Sequence, residues 1–514
     1  MALGTSARQD LSALAAVLTG DFADTAPVTE VFTGDTPAFF PTASEKHVEL
    51  AFERARAAQR EWTAWPVRRR LAVFKRFHRL VLENHETIAE LIQLETGKAR
   101  RTAFEEICDI PMVTSHYLKR APRLLRPVRH PGAVPGASTS VELRKPRGVV
   151  GVIAPWNFPF AIGFCDAIPA LMAGNGIVLK PDDRTPLSPA YGLQLLRRAG
   201  LPDGLVQIVW GNGKVTGPAV VDRADFVMFT GSVPTGRAVA ARAGERLVEC
   251  CLELGGKNPM IVLDDADLGS ALDNAVSGVF ANTGQLCLHI ERIFVHRSNY
   301  EKFRDAFVGR VSRLDVGPGY GYDRDVGALA NPDQLARVTR HVEQAREAGA
   351  RVLTGGRALP ELGPTFYAPT VLENVDPTRE TEETFGPVVS LTPFDTVDEA
   401  VAGANATDYG LSASVWGQNL SRARAVAARL EAGHVNVNDC AVLAYAGKDA
   451  PSGGLKASGM GVRNGDQGLL KFTEATNVAT LKRQVLNAPV GKPYAGHVTR
   501  TVRMLAMMRR FRLR

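Results

Sequence analysis

Cys287, in Asn282-Thr283-Gly284-Gln285-Leu286-Cys287, follows Glu253-Leu254-Gly255-Gly256-Lys257 by about thirty residues, and the two motifs pair a thiol with a carboxylate. A cysteine adds to a carbonyl carbon as its thiolate, and the acyl-cysteine that results turns over only when water is activated, which a carboxylate in a dry, shaped site can do. The pair therefore points to an enzyme that makes and hydrolyses a thioester, with Cys287 as nucleophile and Glu253 as base. An oxyanion formed on the way needs preorganised donors. The side-chain amide of Asn157, in Pro155-Trp156-Asn157-Phe158-Pro159, and the Cys287 backbone N–H are suited to that task. His289 lies two residues beyond the thiol, a spacing that rarely brings a base onto its nucleophile, so it reads as structural.

These residues need a scaffold, and the pattern supplies one. After helical periodicity over 45–65 and 66–97, short apolar runs at 148–153, 176–180, 206–210 and 225–229 alternate with helix-length segments, the signature of a buried parallel sheet. A second series follows Gly256, with a strand at 260–263, a helix over 267–280 and a strand at 293–296. The fold class is α/β, with the Glu253 and Cys287 motifs near the junction of two units. The Pro/Gly-rich passage 130–136 leads into alternating residues 138–143, read as an extended hairpin arm.

Two strand ends carry ligand-binding chemistry. Lys180-Pro181-Asp182-Asp183 closes one strand, where open α/β sheets present ligands. Phe229-Thr230-Gly231-Ser232 follows another strand and opens a helix, combining close backbone approach at Gly231, a hydroxyl on Ser232 and a helix N-terminus that favours phosphate. Gly211-Asn212-Gly213 is only a partial dinucleotide fingerprint.

The chain has 514 residues, 45% of them hydrophobic, enough for more than one core. Six dispersed cysteines without a C-x-x-C pair exclude a disulfide scaffold and a zinc site, so no metal is expected and the compartment reads as reducing and cytoplasmic. No signal peptide or bilayer-spanning run is read. The formal charge of +7 equals the seven basic residues between 485 and 514, a stretch with no acidic residue; the rest is formally neutral, which argues against nucleic acid as a partner. Val498, Val502, Leu505, Met508 and Phe511 recur at near-helical spacing in this tail, which reads either as a solvated terminus or as a basic amphipathic helix for peripheral membrane contact.

Taken in order, the Pro155–Pro159, Glu253–Lys257, Asn282–Cys287 and Glu383-Thr384-Phe385-Gly386-Pro387 motifs closely resemble the aldehyde dehydrogenase superfamily, from about Val28 to about Arg483. The resemblance implies a Rossmann-like cofactor domain (28–128 and 147–253), a catalytic domain (254–467) and an oligomerisation arm (129–146 and 468–484), between an extension at 1–27 and a basic tail at 485–514. It implies an aldehyde substrate, NAD or NADP as cofactor, and a homodimer or homotetramer. By the family pattern Pro155, Trp156 and Gly213 flank the cofactor, Lys180 and Asp183 meet the adenosine ribose, and Gly231 and Ser232 lie beside the pyrophosphate. Glu383 would hold the nicotinamide ribose and Phe385 would flank the ring. A carboxylate at Asp183 repels a 2′-phosphate and favours NAD, while adjacent Arg184 leaves NADP open.

The branch most resembled is succinate-semialdehyde dehydrogenase, through 382–387, 407–411 and 453–459. A coenzyme A-acylating enzyme is disfavoured by Glu253, and a non-catalytic relative by the presence of Cys287, Glu253 and Asn157 together. Where semialdehyde enzymes commonly place carboxylate-binding arginines, this chain has Cys165 and Ala281, and Ser452 stands where an aromatic residue is frequent. With Phe158 these residues are expected to line a tunnel for uncharged medium-length aliphatic or aromatic aldehydes, unless Arg292 or Arg463 supplies the missing cation.

Overall fold

The structure is a computed structural model that describes residues 11–18, 22–132, 136–376, 382–440, 446–483, 490–491 and 493–510. The arm's turn at 133–135 and Lys492, Phe511, Arg512 and Arg514 of the tail lie outside the described residues. Two largely parallel sheets form the frame. The first runs, edge to edge, Gly459–Met460, Cys250–Glu253, Phe226–Thr230, Val149–Ile153, Gly176–Lys180, Val206–Ile208, with only the Gly459–Met460 edge antiparallel. Every residue of its four strands between Val149 and Thr230 is buried, as expected of a sheet covered on both faces. The second sheet runs Arg351–Thr354, Thr370–Glu373, Val388–Phe394, Ile290–His296, Asn258–Val262, Ser412–Trp416, His434–Val437.

The crossing between the sheets fixes the site. Glu253 ends the Cys250–Glu253 strand of the first sheet, and after four intervening residues the chain opens the Asn258–Val262 strand of the second. Leu268–Phe280 returns as a helix, capped by Asp267, which accepts from Gly269 N and Ser270 N. The chain then turns through Asn282–Leu288 into the Ile290–His296 strand. Pairing of Gly459 with Glu253 brings the segment around Ser452 and Arg463 back over the end of the first sheet.

Two expectations are corrected. The helical stretch over 66–97 is two helices, Val67–Glu83 and His85–Thr96, broken where the Asn84 side chain donates to Leu80 O and accepts from Tyr191 Oη, an alternative to the helix ladder that asparagine offers readily. The N-terminal segment, read as an extension outside the domains, is packed over 11–18: Leu11, Leu14 and Val17 are buried in the main core, and Arg197 donates to Val17 O. Its apolar residues are spaced three apart, too short a run to read as a helix on its own.

Val128–Pro131, Ser138–Pro146 and Thr473–Leu481 form a separate three-stranded antiparallel sheet, with Thr473–Leu481 paired along its full length to Ser138–Pro146. Among the described residues no helix is long and apolar enough to cross a membrane, and no group of His, Cys, Asp and Glu is arranged to hold a metal.

Candidate active site

Cys287 and Glu253 open onto one cavity of about 170 Å³, lined also by Phe158, Cys165, Ala281 and Ser452. The loop before Cys287 is unusual: Asn282, Thr283 and Gly284 all take left-handed backbone, at φ of 52°, 57° and 69°. For a β-branched threonine this is strained, and it persists because the surroundings over-determine it. The Gln285 side chain donates to Asn282 O (3.2 Å) and accepts from Ala330 N (2.9 Å). A Cβ on Gly284 would stand 2.0 Å from Gly386 O, so glycine is required for this loop to pack on the Glu383–Pro387 segment.

Glu253 is buried and its Oε1 has no hydrogen-bond partner. Burial pushes its carboxyl up to about 7, against the opposing pull of Arg463 and Lys471. Burial also pushes the Cys287 thiol up to about 12; Arg463 opposes this, and the negative charges of Glu253 and Glu383 add to it. The thiol is therefore protonated at neutral pH until a base takes its proton. Asn157 is buried, and its Nδ2 donates to Gln285 O at 3.0 Å, two residues before the thiol. An amide carries two N–H groups, so one remains for a further acceptor. The Asn157 carbonyl accepts from Lys98 Nζ (2.6 Å) and Asn282 Nδ2 (3.2 Å).

On the other flank, Glu383 Oε1 accepts from Gly256 N at 2.9 Å, and burial, with Glu291 adding, raises its carboxyl to about 7. Phe385, itself at φ 58°, stands edge-to-face with Trp156, ring centroids 5.5 Å apart. That loop is pinned by Glu291, which accepts from Thr384 N, Phe385 N and Lys257 Nζ, the last at 2.5 Å. Although burial favours protonation, Lys257 and His289 hold Glu291 well below the usual carboxylate range. His289 is fully buried, with Nδ1 2.6 Å from Leu286 O; it serves this hub rather than the thiol.

A third cluster lies at the ends of the first sheet's strands. Asp183 accepts from Lys180 Nζ (2.5 Å) and Gly213 N (2.9 Å), and Asn212 caps the helix Gly213–Val221. A Cβ on Gly213 would sit 3.2 Å from Lys180 Nζ, so glycine keeps the approach to this pair open. Arg184 turns away and donates to Asp333 at 3.2 Å. Gly231 N donates to Glu253 O at 3.1 Å, placing the Gly231-Ser232 turn beside the base, and Ser232 Oγ lies 3.0 Å from Thr235 Oγ1 instead of capping its helix. Half-buried Pro155 leads from the Val149–Ile153 strand into this region. An ammonium and carboxylate at one strand end, an uncapped helix start at another strand end and a ring pair beyond fit a dinucleotide.

Pattern reading missed Asp166, Lys448 and Lys471, and named Arg463 only as a candidate cation without its partners. Arg463 lines the cavity, but its Nε donates to Asp166 at 2.8 Å and its Nη2 to Thr230 Oγ1 at 2.6 Å. Lys471 also bonds Asp166, at 2.9 Å; burial alone would raise this carboxyl, yet the two cations hold it at about 2. Lys448, on the same wall, bonds Asp109 at 2.5 Å. Arg292 does not face the cavity: it donates to the carbonyls of Lys257, Gly403 and Ala404, a structural role.

A thiol and a carboxyl whose Oε1 has no hydrogen-bond partner thus share one cavity at the junction of two α/β sheets, an arrangement that suits an enzyme. The chain belongs to the aldehyde dehydrogenase family, whose sequence model matches residues 19–478; members use NAD(P) to oxidise aldehydes. It is similar to a Mycolicibacterium smegmatis protein named "Putative succinate-semialdehyde dehydrogenase (NADP+)", 44% identical over 94% of this chain and 93% of that one. It is also similar to a 4,4'-diapolycopene aldehyde oxidase of Methylomonas, 36% identical over 89% and 86% of the two chains. The aldehyde dehydrogenase of Bacillus cereus, solved as its NAD+ complex, superposes with a TM-score of 0.87 at 33% identity, covering 94% of this chain and all of that one. The motif resemblance and the α/β fold expectation are thus borne out at family level.

Proposed function

We propose that this enzyme oxidises uncharged aldehydes to carboxylic acids through a Cys287 thioester. The observation that carries the mechanism is the unpartnered Glu253 carboxyl, raised to about 7, on the cavity that holds the Cys287 thiol. Glu253 takes the thiol proton as sulfur bonds the aldehyde carbon, and the oxyanion accepts from the second Asn157 N–H and from Cys287 N–H. Loss of hydride to NAD(P)+, the chemistry the cofactor supplies when bound, leaves a thioester. Glu253, its proton released, next takes one from water; the water oxygen bonds the acyl carbon, the C–S bond breaks and the acid departs.

Substrate class follows from the wall charges. Lys448 and Arg463 each already bond a carboxylate, while Glu105, Glu106, Asp109, Asp166 and Glu253 stand on the same cavity. A substrate carboxylate would be desolvated there without a bidentate partner, a cost of several kcal/mol. Cys165, Ala281 and Ser452 leave room for an apolar chain. The Methylomonas relative's name fits this reading; the Mycolicibacterium name favours the semialdehyde. Measurement of kcat/KM should rank hexanal or benzaldehyde above succinate semialdehyde. A preference of about tenfold or more for the semialdehyde, about 1.4 kcal/mol of transition-state binding, would overturn the proposal.

The same reading makes Asp183 the ribose carboxylate and NAD the preferred cofactor, although the Mycolicibacterium relative is named for NADP+. Asp183→Ser is expected to raise the NADP/NAD ratio of kcat/KM by about tenfold through relief of charge repulsion. A wild-type KM lower for NADP than for NAD would reject this assignment. The three-stranded arm is the surface through which copies would pair as homodimer or homotetramer.

A further inference from the structure

We propose that the helix Tyr494–Arg510 docks this protein on an anionic lipid surface, whichever aldehyde the cavity takes. The helix has 17 residues, none of them buried, so its apolar side chains contribute nothing to the core. Val498, Val502 and Leu505 are each about half exposed, at 45%, 58% and 54%. At 3.6 residues per turn, Tyr494, Val498, Val502, Leu505 and Met508 fall along one stripe about 20 Å long, with Arg500, Arg503 and Arg510 around the other side. Arg509 falls within the stripe at the helix's C-terminal end, where its stem can lie on apolar surface while the guanidinium reaches water.

Charge selects the occupant. From 485 to 514 the sequence has seven basic residues and no acidic one, so the complementary surface is negative and extended. A second copy brings the same positive charge, and like charges would meet across a helix pair. A nucleic acid would leave the apolar stripe in water. An anionic bilayer satisfies both faces at once: the stripe enters the headgroup boundary and the arginines meet lipid phosphates and carboxylates. The helix is too polar to cross the membrane, so it lies in the surface plane.

The test is flotation of the full chain with vesicles of phosphatidylcholine alone or with about one-third phosphatidylserine. The expected result is binding to the mixed vesicles only, falling about tenfold when salt is raised from about 0.05 M to about 0.5 M as the Debye length shrinks. Arg500→Glu with Arg503→Glu should abolish it, as should Leu505→Asp and a chain ended at Pro489, each retaining wild-type activity on hexanal in solution. Equal flotation of full and shortened chains, or equal binding to both vesicle types, would overturn the proposal. So would absence of lipid binding together with a change of oligomer mass in Leu505→Asp, which would assign the face to a second copy.

Discussion

Cys287→Ala is expected to lower aldehyde-dependent reduction of NAD(P)+ by at least about a thousandfold, because no other thiol can replace it as nucleophile. Cys165 lines the same cavity, but burial and the negative charge of the adjacent Asp166 push its thiol up. Glu253→Gln separates the two halves of the reaction. It should still form the thioester, giving a burst of reduced cofactor near one equivalent per site, and then turn over slowly for want of a base. The wild-type enzyme should show the same group in its pH profile: with the Glu253 carboxyl raised to about 7, its basic form is lost as pH falls through that value, and deacylation should drop about tenfold per unit below it. Stopped-flow measurement across pH 5–9 checks both claims. Steady turnover by Cys287→Ala near the wild-type rate would remove the mechanism.

The proposed reacting pair was legible because its chemistry is written in residue types, and the parallel strands because burial on both faces leaves runs such as Val149–Ile153 uniformly apolar. What supports the pair was not legible. Asp166 joins Arg463 and Lys471 across about three hundred residues, and nothing local in 166 or 463 marks them as partners. The left-handed run Asn282–Gly284 could not be read from a sequence in which Thr283 disfavours that conformation; it is imposed by Gln285 and by the close approach of Gly386. Similarly, Glu291 lies just before the strand read at 293–296 and belongs to no motif, yet it is the anchor of the Thr384-Phe385 loop. Ion-pair geometry also argues against Arg463 as a rescuing arginine, since it reaches the cavity with Asp166 already bound.

The most demanding support is the Lys98–Glu106 pair, and Glu106→Ala is expected to cost about 3–5 kcal/mol, the usual price of leaving one member of a buried ion pair alone. Both side chains are fully buried, with Lys98 Nζ 2.6 Å from Glu106 Oε2. Burial lowers the lysine and raises the glutamate, each restrained by the other's charge. Glu106 Oε1 also accepts from Phe160 N (2.8 Å) and Ala161 N (3.1 Å), groups that the first turn of a helix leaves without partners. Through Lys98, whose Nζ is 2.6 Å from Asn157 O, the pair orients the proposed oxyanion donor. Glu106 is thus a positioning residue, and stability alone does not test it. Lys98→Met with Glu106→Leu removes both charges and should recover much of the melting temperature lost in Glu106→Ala. It leaves the Asn157 carbonyl without its lysine, so kcat should stay at least about tenfold below wild type while KM for the cofactor is unmoved. Recovery of kcat along with stability in the double variant would reduce the pair to a packing role, and an unchanged melting temperature in Glu106→Ala would show that the helix start at Pro159 finds other partners.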